Sequence, residues 1–272
     1  MDTLDSEIKS TGTGPSAWQP RILVVDDDDL NRSMMRLLLA QQGYVIEFAA
    51  NGSEALQAIK SQKYDLVFMD IVLPDMNGRD VCRQVRAWEA GKSRVPIVAL
   101  TAYDLPGQPL ELLKAGMDDY IFKPYNVRQL TRIVRLYTSQ PGQASSASPS
   151  AEGTQGAEGE VPVLNYEAAL LDFSNSVADY QSLLQDFMAS LPRRLERMQE
   201  NYRSGSLRDL AREAHNLRSV SASLGAMQLS RSATELERSC DEGGIAASGQ
   251  LLEQLGKRVE SLQLAAELYL KS

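Results

Sequence analysis

The chain has 272 residues, 43% hydrophobic and 24% charged, with a net charge of −8. That length suits two ordinary globular domains, and the acidic balance makes DNA or another polyanion a poor partner. Two cysteines, Cys82 and Cys240, stand far apart in no metal or redox spacing, which fits a reducing cytosol; no apolar run approaches bilayer length, so no membrane insertion is expected.

Residues 1–19 are polar and lack the basic and apolar regions of a secretory signal, so they read as a disordered lead-in. Arg21 to Val25 is a β-branched run that empties into Asp26-Asp27-Asp28-Asp29. Leu30 to Gln42 has helical spacing at Leu30, Met34, Leu37 and Leu38, and Gly43 ends it. Val45 to Phe48 is a second strand; Asn51-Gly52 turns the chain, Ser53 is a candidate cap, and Ala55, Leu56 and Ile59 line a helix. Leu66 to Met69 is a third strand ending at Asp70, followed by a loop with Pro74 and Asn77-Gly78 and a helix through Val81, Val85 and Trp88. Pro96 to Leu100 is a fourth strand, followed by Thr101; Leu110 to Lys114 is a short helix; Tyr120 to Phe122 is a fifth strand before Lys123-Pro124; Val127 to Tyr137 is a last helix. Five apolar strands alternating with helices predict an α/β doubly wound five-stranded parallel sheet of flavodoxin-like order over residues 20–139.

Residues 140–162 break this rhythm. They are rich in Ser, Ala, Gly, Gln and Glu with almost no large apolar side chain, the composition of a flexible linker. From 163 to 272 strand signals vanish. Amphipathic runs through Leu183 to Leu191, Leu195 to Tyr202, Leu207 to Leu224 and Leu251 to Tyr269 predict an all-α bundle of about four long helices.

Four strand ends in the first domain carry polar groups: Asp26-Asp27, Asp70, Thr101 and Lys123. In an open α/β sheet they gather at the carboxyl edge, where ligands bind. A strand-end Asp alone often does no more than cap its loop, and an acidic run is usually just solvated. Together, carboxylates, an ammonium and a hydroxyl are what a metal-assisted phosphoryl transfer needs, with Mg²⁺ preferring hard oxygen ligands.

Residues 20–139 resemble the receiver domain of two-component signalling, on Ile22-Leu23-Val24-Val25-Asp26-Asp27, Met69-Asp70 with Pro74 and Gly78, Ala99-Leu100-Thr101-Ala102, and Lys123-Pro124. The resemblance implies that Asp70 accepts phosphate from a phosphohistidine and promotes that step itself without being a kinase. It implies Mg²⁺ held by Asp27, Asp70 and the backbone carbonyl of Val72, with Asp26 assisting through water. Lys123 would pair with the phosphoryl group, Thr101 and Tyr120 would form the switch pair, and Lys123-Pro124 would be cis. Asn77, where the family commonly has Asp, and the long segment from Asp104 to Pro109 depart from the pattern.

The chain has one histidine, His215. It lies off the apolar seam Leu207, Leu210, Ala214, Leu217, Ser221 and Leu224. Ala211 and Ser219, small and one turn away, leave room for another protein, and Arg212 and Arg218 supply positive charge for a phosphoryl group. An exposed, accessible imidazole is therefore expected. A lone surface histidine usually means nothing, but this one follows a phosphoryl-accepting domain. Residues 163–272 resemble a histidine phosphotransfer domain, on Ala214-His215-Asn216-Leu217-Arg218-Ser219 and Leu224-Gly225-Ala226, with Arg218-Ser219 where the family usually has Lys-Gly.

The two resemblances imply a cytoplasmic phosphorelay protein whose partners are a sensor histidine kinase and a downstream response regulator or phosphotransfer protein. The alternative is a fragment of a hybrid sensor histidine kinase lacking its catalytic domain. A kinase dimerisation helix at His215 would want an acidic residue next and a proline soon after, and neither is present. A transcription factor lacks support in the absence of a basic recognition helix, and a haloacid-type phosphatase would want Asp where Val72 stands.

Overall fold

The computed structural model describes residues 19–40, 43–91, 93–101, 108–138, 162–173 and 176–271. The linker expectation and nearly all of the lead-in fall outside them, as does most of the segment after Thr101.

The first half alternates β1 (Arg21–Val25), α1 (Asp29–Ala40), β2 (Val45–Ala49), α2 (Gly52–Ser61), β3 (Leu66–Asp70), α3 (Gly78–Glu89), β4 (Ile97–Thr101), α4 (Gln108–Lys114), β5 (Asp119–Phe122) and α5 (Val127–Thr138). All strand pairs are parallel, in the order β2-β1-β3-β4-β5. This is the doubly wound sheet expected from the sequence. Side chains alternate along each strand. Ile22, Val24, Phe68, Val98 and Leu100 pack under α1 and α5. Leu23, Val25, Val67, Met69, Ile97 and Ala99 pack under α2, α3 and α4. With both faces covered, the strands are apolar throughout, and polarity is pushed to their ends.

Local caps differ in detail from expectation. Asn51, not Ser53, caps α2: its side chain accepts from the Glu54 N–H at 2.8 Å, and Glu54 accepts the Ala50 N–H in return, also at 2.8 Å. Ser53 instead donates to Asp75, tying α2 to the loop after β3. Asn77 caps α3, so an amide there serves the backbone. Gly78 is required by space: a Cβ on it would meet the Asp70 carbonyl oxygen at 2.1 Å.

The second half is helical: α6 (Tyr166–Asp172), α7 (Val177–Arg203), α8 (Leu207–Ser223), α9 (Met227–Asp241) and α10 (Ile245–Leu270). Four are long, but they are not the four runs named from the sequence: Leu183 to Leu191 and Leu195 to Tyr202 join in the single helix α7, and α9 falls where no run was singled out; α6 is a short addition. Leu183, Leu184, Phe187 and Leu191 of α7 share a core with Leu210, Ala214 and Leu217 of α8, Leu229, Ala233 and Leu236 of α9, and Leu255, Val259 and Leu262 of α10. The Tyr180 hydroxyl donates to the Leu224 carbonyl at 3.0 Å, pinning α7 to the end of α8. The bundle does not stand apart from the sheet domain: α7 and α8 rest against α1.

Candidate functional site

The carboxyl edge of the sheet collects the strand-end groups. Lys123, buried just past β5, places its ammonium 2.8 Å from Asp26 Oδ2 and 2.6 Å from Asp70 Oδ2. Asp26 Oδ1 accepts from the Asp28 N–H at 3.0 Å and from the Asn31 amide at 3.1 Å, while Asp70 Oδ1 accepts from the Val72 N–H at 3.1 Å. Thr101 ends β4, and its carbonyl accepts the Lys123 N–H at 2.6 Å; the Lys123–Pro124 bond is cis. Tyr120, in β5, is half-buried with its ring edge-on to Phe122 at 5.2 Å.

Burial pushes the Asp26 carboxyl up, against the pull of Lys123. Burial, with repulsion from Asp26 and Asp70, carries Asp27 up to about 6. Burial acts the same way on Asp70, but the Lys123 ammonium, with its hydrogen bond and that from the Val72 N–H, outweighs it and holds Asp70 below the usual range. Burial disfavours the charged Lys123, yet Asp26 and Asp70 raise it well above normal, so it stays an ammonium.

Oxygens of Asp26, Asp27 and Asp70 lie within 4.8 Å of one another. One buried ammonium pairs with Asp26 and Asp70 while Asp27 has only Asn216 and, at 3.7 Å, Arg212 beside it, leaving the edge rich in negative charge, and every donor is a hard oxygen. This set fits a divalent cation of the Mg²⁺ type. The Val72 N–H turns to Asp70, so the contact seen at Val72 is through its nitrogen.

His215 is not the exposed imidazole expected from the sequence. It is 5% exposed, because α9 covers one side of α8 and the sheet domain covers another. Its Nδ1 lies 2.9 Å from Glu237 Oε1 on α9. A carboxylate can only accept, so this shorter contact puts a proton on Nδ1, and in the neutral ring the lone pair then sits on Nε2; the 3.3 Å approach of Arg218 Nη2 to the same Nδ1 is in that case no hydrogen bond. Nε2 is buried with no hydrogen-bond partner among the described residues. A cavity of about 220 Å³ joins His215, Ala211, Arg212, Glu237 and Asp241 to the loop of Ile71, Val72, Leu73 and Pro74 beyond Asp70.

Two neighbours of His215 also differ from expectation. Arg218 does not reach toward a phosphoryl site; it is 8% exposed, with Nη1 3.0 Å from Glu237 Oε2 and Nη2 3.3 Å from His215 Nδ1. Ser219 is 3% exposed with the sheet domain seated against α8, and its hydroxyl donates to the His215 carbonyl at 3.2 Å, so in this arrangement it is enclosed and not open. The seam was legible, but α8 is enclosed on more than that side. Ala211 and Arg212 do face the sheet domain.

Several contacts had no local signal in the sequence. Asn216 donates to both oxygens of Asp27 at 3.2 and 3.3 Å, and Arg212 Nε stands 3.7 Å from Asp27 Oδ2. Arg194 of α7 pairs with Asp28 at 2.7 Å. Glu237 follows His215 by 22 positions on another helix. Only the acidic run, Asp26 to Asp29, hinted that more than two carboxylates were in use.

Comparison with known proteins matches residues 22–135 to the response regulator receiver domain and residues 182–265 to the Hpt domain. The sensor histidine kinase GacS of Pseudomonas protegens is 32% identical over 257 residues, covering 89% of this chain and 27% of the relative. The sensor protein GacS of Pseudomonas syringae is 29% identical over 255 residues, covering 93% and 28%. The chain thus spans about a quarter of the curated relatives it matches over most of its length. Among solved structures, the receiver domain of a sensor histidine kinase from Pseudomonas aeruginosa, described with a magnesium ion in its active-site cleft, is 38% identical. It covers 44% of this chain and 98% of its own, with a TM-score of 0.41. No helix among the described residues is long and apolar enough to cross a membrane.

Proposed function

We propose that this chain, a response regulator receiver domain joined to an Hpt domain, is a two-site phosphoryl relay. Asp70 takes a phosphoryl group from a phosphohistidine, and His215 exchanges that group with Asp70 or with the aspartate of a partner receiver. The observation that carries the reading is the seating of one histidine over one acidic edge: Asn216, the residue after His215, donates to Asp27 beside Asp70.

In the first step a carboxylate oxygen of Asp70 attacks phosphorus. The bond from phosphorus to the donor imidazole breaks, and its electron pair returns to the ring nitrogen. Lys123, 2.6 Å from Asp70, supplies a fixed positive charge without needing to move a proton. Mg²⁺, held by Asp26, Asp27, Asp70 and the Val72 carbonyl, would neutralise charge on the phosphoryl oxygens when bound. The Thr101 hydroxyl is our candidate for a phosphoryl contact, with Tyr120 as its switch partner.

In the second step the His215 Nε2 lone pair attacks phosphorus, and Asp70 leaves as a carboxylate. Glu237 accepts the Nδ1–H hydrogen bond throughout, the proton staying on the ring, and stabilises the cation that forms there. Arg218 holds Glu237 in place. Arg212, which lines the cavity, is the cation available to the phosphoryl group, in the role the sequence had shared with Arg218. Neither step asks for kinase activity from the receiver or the bundle, and we place both in the cytoplasm, in keeping with two free, buried cysteines. It receives phosphate from a sensor kinase and passes it to a downstream receiver or phosphotransfer protein.

A second reading, the relay segment of a longer hybrid sensor histidine kinase, is favoured by the two GacS relatives, of which the matched stretch is about a quarter. The chemistry at Asp70 and His215 is the same in both. The test is to label the full chain with radioactive acetyl phosphate and Mg²⁺ and separate base-labile acyl phosphate from acid-labile phosphohistidine. Wild type should carry both, His215→Gln only the first, and Asp70→Asn neither. Phosphohistidine in Asp70→Asn at the wild-type level would overturn the order of transfer.

A further inference from the structure

Arg194 and Asp28 belong to neither reacting group, yet they form the most enclosed ion pair between the two halves of the chain. Arg194 Nη2 lies 2.7 Å from Asp28 Oδ2, with side chains 8% and 5% exposed. Each is prepared for the other. Arg194 Nε donates to Ser190 Oγ at 3.2 Å, one turn earlier on α7, which aims the guanidinium outward from the bundle. Asp28 Oδ1 accepts from the N–H groups of Leu30 and Asn31 at 3.0 and 3.2 Å, capping α1 and leaving Oδ2 free to face α7. When the halves separate, both charges regain water. When they close, each charge is buried and tolerable only opposite the other.

We propose that Arg194 and Asp28 form a charge latch that seats the phosphotransfer face of the bundle on the chain's own receiver. The same latch selects external receivers by whether they carry a carboxylate directly after the acidic pair. The selection is chiefly by rejection: a receiver with a neutral residue there would bury the Arg194 guanidinium without a counter-charge. The closed arrangement also covers His215, so an external receiver must compete with the internal one for a single face. This inference rests on the relay reading above and deepens it by naming what decides the partner.

The test uses full-length chains mixed in pairs, so that only transfer between chains is seen. The donor carries His215→Gln and is labelled on Asp70; the acceptor carries Asp70→Asn and keeps His215. Asp28→Asn preserves the α1 cap, since Asn caps as well as Asp, but removes the charge. Placed in the acceptor, it loosens only the internal seating and should speed transfer about tenfold, the scale of one lost charge-assisted hydrogen bond. Arg194→Met in the donor should do the same for the mirror reason. Asp28→Asn in the donor, or Arg194→Met in the acceptor, weakens internal and external docking together and should give no acceleration. A misfolded variant would not produce this dependence on placement. Solution X-ray scattering supplies a readout independent of transfer: Asp28→Asn and Arg194→Met should each increase the radius of gyration, and the double variant should add little. If placement makes no difference, or if neither variant expands the molecule, the latch is overturned. If the variants expand but labelled Asp70 never passes phosphate to His215, the relay reading fails and the latch remains as a docking contact.

Discussion

Replacing Glu237 with Gln keeps the shape of the side chain but removes the charge that two groups depend on. Glu237 sits 2.9 Å from His215 Nδ1 and 3.0 Å from Arg218, on a helix that carries no other part of the proposed chemistry. A hydrogen bond to a charged group is worth about 1.5–3 kcal/mol, so losing it from the transfer step should slow His215 phosphorylation roughly 10- to 100-fold. Part of the cost also falls on stability, because Arg218 is left buried without its counter-ion; about 1–3 kcal/mol is expected, below the range for fully buried pairs because Glu237 is partly exposed. A single histidine in the chain makes the assay clean. Labelling with ¹⁵N-histidine gives the spectrum of one imidazole, which should report the proton on Nδ1 and the lone pair on Nε2 in wild type. Glu237→Gln should mix the tautomers while the same preparation, labelled on Asp70, shows the slowed transfer. A wild-type ring protonated on Nε2 would refute the argument, as would unchanged tautomer and rate in Glu237→Gln.

Lys123→Ala removes the ammonium between Asp26 and Asp70, leaving two buried carboxylates facing each other. The thermal midpoint without Mg²⁺ should fall, and the rise on adding Mg²⁺ should exceed that of wild type; equal shifts by differential scanning fluorimetry would count against the shared site. The Asp27 carboxyl, raised to about 6, binds a proton in the folded protein over a range where an ordinary aspartate is already ionised. Protons and Mg²⁺ then compete, so affinity should weaken as pH drops through about 6. Calorimetry in buffers of different ionisation heat should find protons released on binding near pH 5.5 and none near pH 8; affinity flat across that range would contradict the site. Ser219→Trp cannot be accommodated where the hydroxyl now meets the His215 carbonyl, so it should lower the unfolding midpoint of the bundle, and an unchanged midpoint would mean that Ser219 is not enclosed.

The sheet was legible because each strand is covered on both faces. Continuous apolar runs such as Leu66 to Met69 can then end only where the chain leaves the sheet, and a polar residue at that point must lie on the carboxyl edge. That one rule brought Asp26, Asp27, Asp70, Thr101 and Lys123 together without any knowledge of their distances. The seams of α7, α8 and α10 were legible for a related reason: a helix with one apolar stripe must bury it; α9, where no run was singled out, was missed. His215, Arg218 and Ser219 were misjudged because that rule describes the stripe alone. α8 is enclosed by α9 and by the sheet domain as well, and polar side chains on those sides are buried by pairing with Glu237 or with backbone. Such pairs, with Glu237 22 positions from His215, leave no periodic trace.

Asn216 marks the limit of sequence reasoning most sharply. On the helix it is an ordinary polar neighbour of His215, yet its amide donates to both oxygens of Asp27, 189 positions away. Those same oxygens belong to the carboxylate cluster suited to a cation. One acidic edge is thus asked to hold positive charge in three forms: the ammonium of Lys123, a divalent ion, and the donors of the bundle. The edge carries more carboxylates than Lys123 can balance, and that excess is what makes it attractive both to metal and to the phosphotransfer face. A receiver neutral at Asp27 and Asp28 would lose both attractions together. The acidity needed for phosphoryl chemistry therefore doubles as the address by which the bundle finds it, and partner choice is left to the residue just outside the chemistry, Asp28, whose charge can change while the metal ligands stay in place.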